Sequence, residues 1–395
     1  MVSDWTSTTV GSFCPFAYGK GLPEKKRNMN GNIKVYGSNG PVGVHDQPLV
    51  DESGIVVGRK GTVGAVHFAP EPFWPIDTTF YIVGKADRDL SFTYYLLKSI
   101  GLEHMNADSA VPGLNRDAAH ARPILVPEHP EQRAIAHILG SLDDKIELNR
   151  KMNETLEAMA RTIFKSWFID FDPVRAKAEG RDPGLPKEIA NIFPDSFEDS
   201  ELGEIPKGWE VGAIADLANV TSGKRPQKRS KEKTGEFTIP LYGGGGIMAY
   251  VSTPMISEPF LLTGRVGTLG KIFRITEECW PSDNTLLLFP LCNSYLEYLY
   301  FILHRIDFDS LNRGSTQPLV TQTDIKNQRV VIPNENILRF YWQQVHPMFE
   351  RIDKNDKETA TLASLRDTLL PKLISGELRV PDTEKFVEEG LAHDQ

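Results

Sequence analysis

Apolar positions along this chain follow two rhythms, and each rhythm occurs twice. Short runs such as Ile55-Val56-Val57, Thr79 to Val83, Phe260-Leu261-Leu262 and Leu286 to Phe289 are cut off by Gly and Pro, which predicts strands joined by tight turns. One helix-like run interrupts each set, Ser91 to Ile100 and Tyr295 to His304. A seven-residue rhythm then takes over. Ile135, Leu142, Asn149, Leu156 and Ile163 recur at that spacing, with Leu139, Ile146 and Trp167 in a second row, and Pro130 suits a first helical turn. Its second occurrence sets Tyr341, Met348, Asn355, Leu362 and Leu369 in one row, with Val345, Ile352 and Leu373 beside them. The pattern predicts two long helices, residues 130–168 and 336–374, packed along a coiled-coil seam and kinked or broken near Gly140 and Pro347.

The doubling is a tandem repeat. Sliding the chain by 206 residues pairs Tyr36-Gly37 with Tyr242-Gly243, and Trp74-Pro75 with Trp280-Pro281. It also pairs Gly58-Arg59-Lys60-Gly61-Thr62-Val63-Gly64 with Gly264-Arg265-Val266-Gly267-Thr268-Leu269-Gly270. Positions 36–79 match their counterparts at 15 of 44 places without a gap, against about one in fifteen by chance. Near the start the offset becomes 204, pairing Trp5 with Trp209 and Gly19-Lys20 with Gly223-Lys224. The expected fold is α+β: two strand-rich mixed α/β modules, residues 1–127 and 207–333, separated by two long antiparallel helices with pseudo-twofold symmetry. The helices take 128–170 and 334–380, a Pro- and acid-rich connector 171–206 reads as ordered loop rather than core, and 381–395 is a tail. Asn149 and Asn355 share one heptad position near the two midpoints. Antiparallel packing would bring them together, and a mutual hydrogen bond would fix the register.

Charge sharpens the division. The chain of 395 residues carries a net −9, but residues 1–127 are neutral and 207–333 carry +2. The acidity lies in 128–206, at −7, and 334–395, at −4. The modules are therefore free to present positive faces. Lys224, Arg225, Lys228, Arg229, Lys231 and Lys233 crowd one loop against Glu232 alone, and Lys25-Lys26-Arg27 lies at the matching place in the first copy. Such loops suit phosphate contact as well as plain solvation.

Catalytic chemistry finds no support in the residues. The Gly58-x-x-Gly61-x-x-Gly64 spacing is wrong for a dinucleotide loop, and Gly19-Lys20-Gly21 lacks the Ser or Thr of a phosphate-binding Walker motif. These glycines suit tight turns from which Arg59, Lys60 and Arg265 project. The nine histidines form no HxxxH or HExxH cluster, and Cys14, Cys279 and Cys292 have no CxxC spacing, so neither a metal site nor a disulfide framework is expected. Pro381-Asp382-Thr383-Glu384-Lys385 sets its acids too close together for a nuclease metal cage, and no Asn-Pro-Pro-aromatic motif of an amino-methyltransferase occurs. No apolar run approaches the roughly 20 residues of a membrane span, and Met1 to Val10 is unlike a secretory signal, so a cytoplasmic chain with no membrane partner is expected.

Three stretches carry a resemblance. Trp167-Phe168-Ile169-Asp170-Phe171-Asp172-Pro173-Val174-Arg175-Ala176-Lys177-Ala178-Glu179-Gly180, Glu201-Leu202-Gly203-Glu204-Ile205-Pro206-Lys207-Gly208-Trp209, and Thr368-Leu369-Leu370-Pro371-Lys372-Leu373-Ile374-Ser375-Gly376-Glu377-Leu378 are similar to segments of the specificity subunits of type I restriction-modification systems. The resemblance covers essentially the whole chain. It implies a non-catalytic subunit whose two target-recognition domains each read one half of a split sequence in double-stranded DNA. It further implies helices that act as a spacer and dock two modification (adenine methyltransferase) subunits, joined by restriction (ATP-dependent translocase/endonuclease) subunits. S-adenosylmethionine, ATP and Mg are then used by the partners, and this chain binds no cofactor.

On that reading the DNA-contacting candidates are Lys25, Lys26, Arg27, Tyr36, Ser38, Asn39, Arg59, Lys60 and Thr62 in the first copy. In the second they are Lys224, Arg225, Lys228, Arg229, Lys231, Tyr242, Arg265 and Thr268. Phe164, Trp167, Phe168, Phe171, Leu369, Leu370, Leu373 and Ile374 give each helix end an apolar face beyond a two-helix seam, and are expected to bury against the modification subunits. Two other readings compete: a coiled-coil scaffold that binds proteins and not DNA, and the recognition half of a larger methyltransferase.

Overall fold

The computed structural model describes residues 4–105, 113–314 and 317–380; the predicted tail 381–395, with Pro381 to Lys385, lies outside them. The described residues form two compact units, divided after Lys151 in the first long helix and before Asn355 in the second. Each unit contains one strand-rich module and a segment of both helices.

In the first unit the strands Ala17–Tyr18, Thr79–Val83, Gly54–Gly58 and Val66–Ala69 form an antiparallel sheet in that spatial order. Gly54–Gly58 is buried at every position, which is why it reads as a continuous apolar run rather than an alternating one. A second sheet sets Ile33–Gly37 between Gly40–His45, antiparallel, and Phe73–Pro75, parallel. Thr6–Thr9 pairs with Pro123–Val126 and so ties the start of the module to the segment that leads into the long helix.

The second unit repeats this topology strand for strand. Ala218–Ser222, Thr285–Pro290, Phe260–Gly264 and Ile272–Ile275 form its four-stranded sheet, and Gly246–Val251, Ile239–Gly243 and Trp280–Pro281 its three-stranded one. Even the irregularity recurs: the hairpin register slips between Val35 and Tyr36, and again between Leu241 and Tyr242. The spaced glycines have backbone causes. A Cβ on Gly58 would lie 2.1 Å from the Thr62 carbonyl oxygen, and one on Gly264 would lie 1.8 Å from that of Thr268. Gly61, Gly64, Gly267 and Gly270 have φ of 81°, 75°, 80° and 74°, the left-handed region that side chains avoid.

The long helices run His129–Phe168 and Glu335–Ser375. Neither breaks: Gly140 and Pro347 both lie inside continuous helix, which removes the expected break; Pro347 costs the ladder only one N–H and Gly140 none, so neighbouring turns hold. The two segments run antiparallel within each unit. In the first, Arg366 pairs with Asp143 at 2.7 Å, and the Asn149 amide donates to Glu358 at 2.8 Å. In the second, the rings of Phe164 and Phe168 meet Tyr341 at 6.4 and 5.0 Å.

Two expectations need correction. The connector is not loop: Asp172–Ala178 and Lys187–Ala190 are helical, and Phe197–Ser200 forms a hairpin with Gly203–Pro206. Val174, Ile189, Phe193 and Ile205 bury in the second unit's core, so a sparse apolar set spaced between Pro and acids still makes a folded cover. The helix ends are not free surface either. Phe164, Trp167, Phe168 and Phe171 are buried among Tyr298, Phe301, Phe193 and Trp209. Leu369, Leu373 and Ile374 are buried in the first unit's own core, with Leu370 half-buried at its edge. Their extra apolar width meets the chain's own modules, which removes the reason for expecting a partner there.

Candidate nucleic-acid interface

One turn in each module gathers the loops that the sequence singles out. In the first it follows Trp74-Pro75. The Pro75 carbonyl accepts from the Lys20 amide at 2.9 Å, and the Tyr36 carbonyl accepts from the Ile76 amide at 3.0 Å. The Thr78 carbonyl accepts from the amides of Arg59 and Lys60 at 2.9 and 3.1 Å, and from Ser38 Oγ at 2.7 Å. The loop after Tyr18, the hairpin tip at Ser38-Asn39 and the glycine turn at Arg59 therefore meet at one place. The second module uses the same bonds: Lys224 amide to Pro281, Ser282 amide to Tyr242, and Arg265 amide to Asn284, at 3.0, 2.8 and 2.8 Å. The repeated tryptophan is the clasp. Trp74 Nε1 donates to the Lys20 carbonyl at 2.8 Å, and Trp280 Nε1 to that of Lys224 at 2.7 Å.

The predicted contact residues divide on this frame. Lys25, Lys26, Asn39, Lys60 and Thr62 are exposed, as are Lys224, Arg225, Lys228, Arg229, Lys231 and Thr268. Among the described residues none of the basic loop's Lys224, Arg225, Lys228, Arg229, Lys231 and Lys233 makes an ion pair, so their charge faces solvent unneutralised. Arg27 is occupied: its Nη1 donates to the Val42 carbonyl at 2.9 Å and its Nε to that of Leu22 at 3.3 Å, lacing the loop to the hairpin. Tyr36 and Ser38 are buried and hold the frame, Tyr36 against Phe73 with ring centroids 5.8 Å apart. Tyr242 is half-buried beside Phe273, and burial pushes both phenols above their usual range. These three fit the sheet and not a ligand; an aromatic beside a turn signals both roles equally in sequence.

Residues outside the predicted set complete the surface. Tyr18, 49% exposed, has the guanidinium groups of Arg59 and Arg116 each 5.0 Å from its ring centre. With Lys60, Asn115 and Asp117 they line an open cleft of about 280 Å³. At the matching place in the second module Gln322 Nε2 donates to Ser222 Oγ at 2.9 Å. The only signal in the sequence is the repeat itself: positions 116 and 322 align at the 206 offset, but Arg and Gln differ, so identity between the copies does not single them out. Asn149 and Asn355 are both buried, at 0% and 1% exposure, but the expected mutual hydrogen bond is not formed. The Asn149 amide donates to Glu358 at 2.8 Å and to Thr359 at 3.5 Å on the other helix, and neither Oδ1 accepts a bond among the described residues, because a longer carboxylate one turn away takes the donor instead. Among the described residues no group of three or more His, Cys, Asp and Glu comes together to hold a metal ion, and no helix is long and apolar enough to cross a membrane.

The model of one protein family, the type I restriction modification DNA specificity domain, matches residues 2–158 and 206–366. The MjaIX specificity subunit of Methanocaldococcus jannaschii, a type I restriction enzyme subunit, is 28% identical over 365 residues, 83% of this chain and 78% of that one. The HindI specificity subunit of Haemophilus influenzae is 26% identical over 329 residues, 68% and 71% of the two chains. The crystal structure of a type I S subunit from M. genitalium superposes with a TM-score of 0.66 at 19% identity, over 94% of this chain and 96% of that one, and shows the same fold.

Proposed function

The chain belongs to the family of type I restriction-modification DNA specificity domains, which it carries in two copies, and from that premise we propose that each module reads one half of an asymmetric bipartite DNA target. The helices set the spacing between the halves and dock modification and restriction subunits. Those partners supply the chemistry, with S-adenosylmethionine, ATP and Mg bound on their side. One observation carries the reading: the same three loops are clasped to the same turn twice, while the side chains they present differ. A conserved frame with divergent exposed groups suits two related but unequal half-sites, as a twofold repressor suits a palindrome. The unpaired cations of 224–233 supply phosphate contacts, and shorter side chains nearer the turn face the base edges. Across the helices the Asn149 amide and Lys145 both hold Glu358, and these bonds set the register and with it the gap length.

Exchanging residues 207–333 for the corresponding region of another specificity subunit tests this. The adenine-methylation map of cells carrying the hybrid and its modification subunit should change in one half of the target and keep the other. Recoding of both halves, or of neither, would refute it.

A further inference from the structure

The cleft beside Tyr18 differs between the modules in a way that the rest of the frame does not. Its walls are held alike: the Arg59 carbonyl accepts from the Leu114 amide at 2.8 Å, and the Arg265 carbonyl from the Val320 amide at 2.9 Å. Single bridges, Lys60 to Gly113 and Val266 to Leu319, close both at the same point. Only the side chains change. The first module has Tyr18 and Arg116 where the second has Ser222 and Gln322, with Arg59 and Arg265 common to both.

Resting on the DNA-reading function above, we propose that this locus discriminates one base pair in each half-site, Arg116 reading guanine in the first and Gln322 reading adenine in the second. The guanidinium is a flat fork of donors that fits the O6 and N7 acceptors of guanine; a carboxamide offers the donor and acceptor that adenine N6 and N7 require. Both side chains are pre-oriented. Tyr18 holds the Arg116 guanidinium over its ring, and Ser222 takes one N–H of Gln322, leaving the second N–H and Oε1 for a base. Arg116 is available, since its one ion pair among the described residues is a 3.4 Å contact to the neighbouring Asp117, whose side chain is 86% exposed. Arg265 stands half-buried beside it in the second module, its Nε buried and without a partner among the described residues.

The test is selection from a randomised duplex pool by the purified full chain, in wild-type form and as Arg116→Lys, as the double variant Tyr18→Ser with Arg116→Gln, and as Gln322→Arg. The wild type should enrich a split motif. Arg116→Lys should lose about 10- to 100-fold in preference for one G·C pair of one half, and the double variant should accept A·T there. Gln322→Arg should shift one pair of the other half toward G·C. An unchanged motif for all three variants overturns the proposal. So does a uniform loss across sequences with a shallower salt dependence, the mark of a phosphate contact. Should the double variant not fold by circular dichroism, Arg116→Lys and Gln322→Arg decide the matter alone. Failure of the wild type to enrich any motif would instead refute the DNA-reading function, and so is told apart from failure of this locus.

Discussion

The two modules share every strand pairing, yet they are fastened to the long helices by different polar contacts. In the second, Arg274 lies almost fully buried between Glu297 at 3.2 Å and Asp353 at 2.8 Å, with its guanidinium over Phe349. Glu297 is wholly buried and also meets His346 at 2.9 Å. In the first module the matching positions are Phe68, Ser91 and Glu147, so no buried cation stands there, and the bond to the long helices is a phenol on a carboxylate. Phe68 packs on Tyr94 at 5.8 Å, and Tyr95 donates to Asp143 at 2.7 Å, which Arg366 also holds. One backbone design thus tolerates either a buried cation between two carboxylates or a buried phenol on a half-buried ion pair at the joint. Buried ion pairs gain little net stability because desolvation offsets their attraction, but they punish the loss of one partner severely.

That asymmetry yields the largest expected effect. Arg274→Ala leaves Glu297 and Asp353 without their cation and should destabilise the second unit by about 3–5 kcal/mol. Phe68→Ala at the matching place removes a half-buried ring and should cost about 1–3 kcal/mol in the first unit. Hydrogen exchange resolved by peptide reads the two units separately in one sample. Equal losses in both variants would show that the two joints are energetically the same despite their chemistry.

How far the sequence reveals such features depends on whether the feature repeats. Matches at a fixed offset expose the modules, the glycine turns and the clasping Trp74 and Trp280, because backbone geometry demands the same residue in both copies. The strands and long helices follow from periodicity. What escapes is whatever distinguishes the copies: Arg274 with Glu297, and Tyr18 with Arg116, have no counterpart to match. The connector escapes for another reason. Phe171 with Val174, and Ile189 with Phe193, are single pairs at helical spacing, too short to establish a period, and only the end of the first helix shows what they cover. Tyr36 and the helix-end aromatics fail in the opposite direction, since an apolar residue beside a predicted site or seam has the same pattern whether it binds a partner or its own core.

The clasp gives a medium effect that should be equal in the two modules. Trp74→Phe and Trp280→Phe each keep a ring but delete the donor to Lys20 or Lys224, so each should cost about 0.5–1.5 kcal/mol. Each variant should also weaken selection of its own half-site while sparing the other. A loss confined to one module would mean that the shared clasp, like the joint, has diverged in strength.

The smallest difference is a matter of pH. The short helix Gln322–Lys326 of the second module opens with a reciprocal cap: Thr321 Oγ1 accepts from the Asp324 amide at 3.2 Å, and Asp324 Oδ2 accepts from the Thr321 amide at 2.9 Å. In the first module Asn115 caps Arg116–His120, and the matching third position is Ala118, which has no carboxylate. Burial works against the Asp324 carboxylate, but the bonds from Thr321 and the charge of Arg313 outweigh it and hold its pKa below the usual 3.8. A carboxyl group whose folded pKa is depressed contributes stability above its unfolded pKa and loses it as pH falls through the folded one. Acidification below about pH 4 should therefore loosen the second module's helix by roughly 0.5–2 kcal/mol through Asp324. The first module's helix, whose amide cap does not titrate, responds earlier, as pH falls below 6.5, because burial lowers the pKa of His120, whose Nε2 accepts from the Phe16 amide. Asp324→Asn should impose the Asp324 loss already at neutral pH and abolish the pH dependence of Gln322–Lys326, read by exchange of the Asp324-side amides against those of Arg116–His120. A pH response of Gln322–Lys326 that survives in Asp324→Asn would place the titrating group elsewhere and erase this last contrast between the copies.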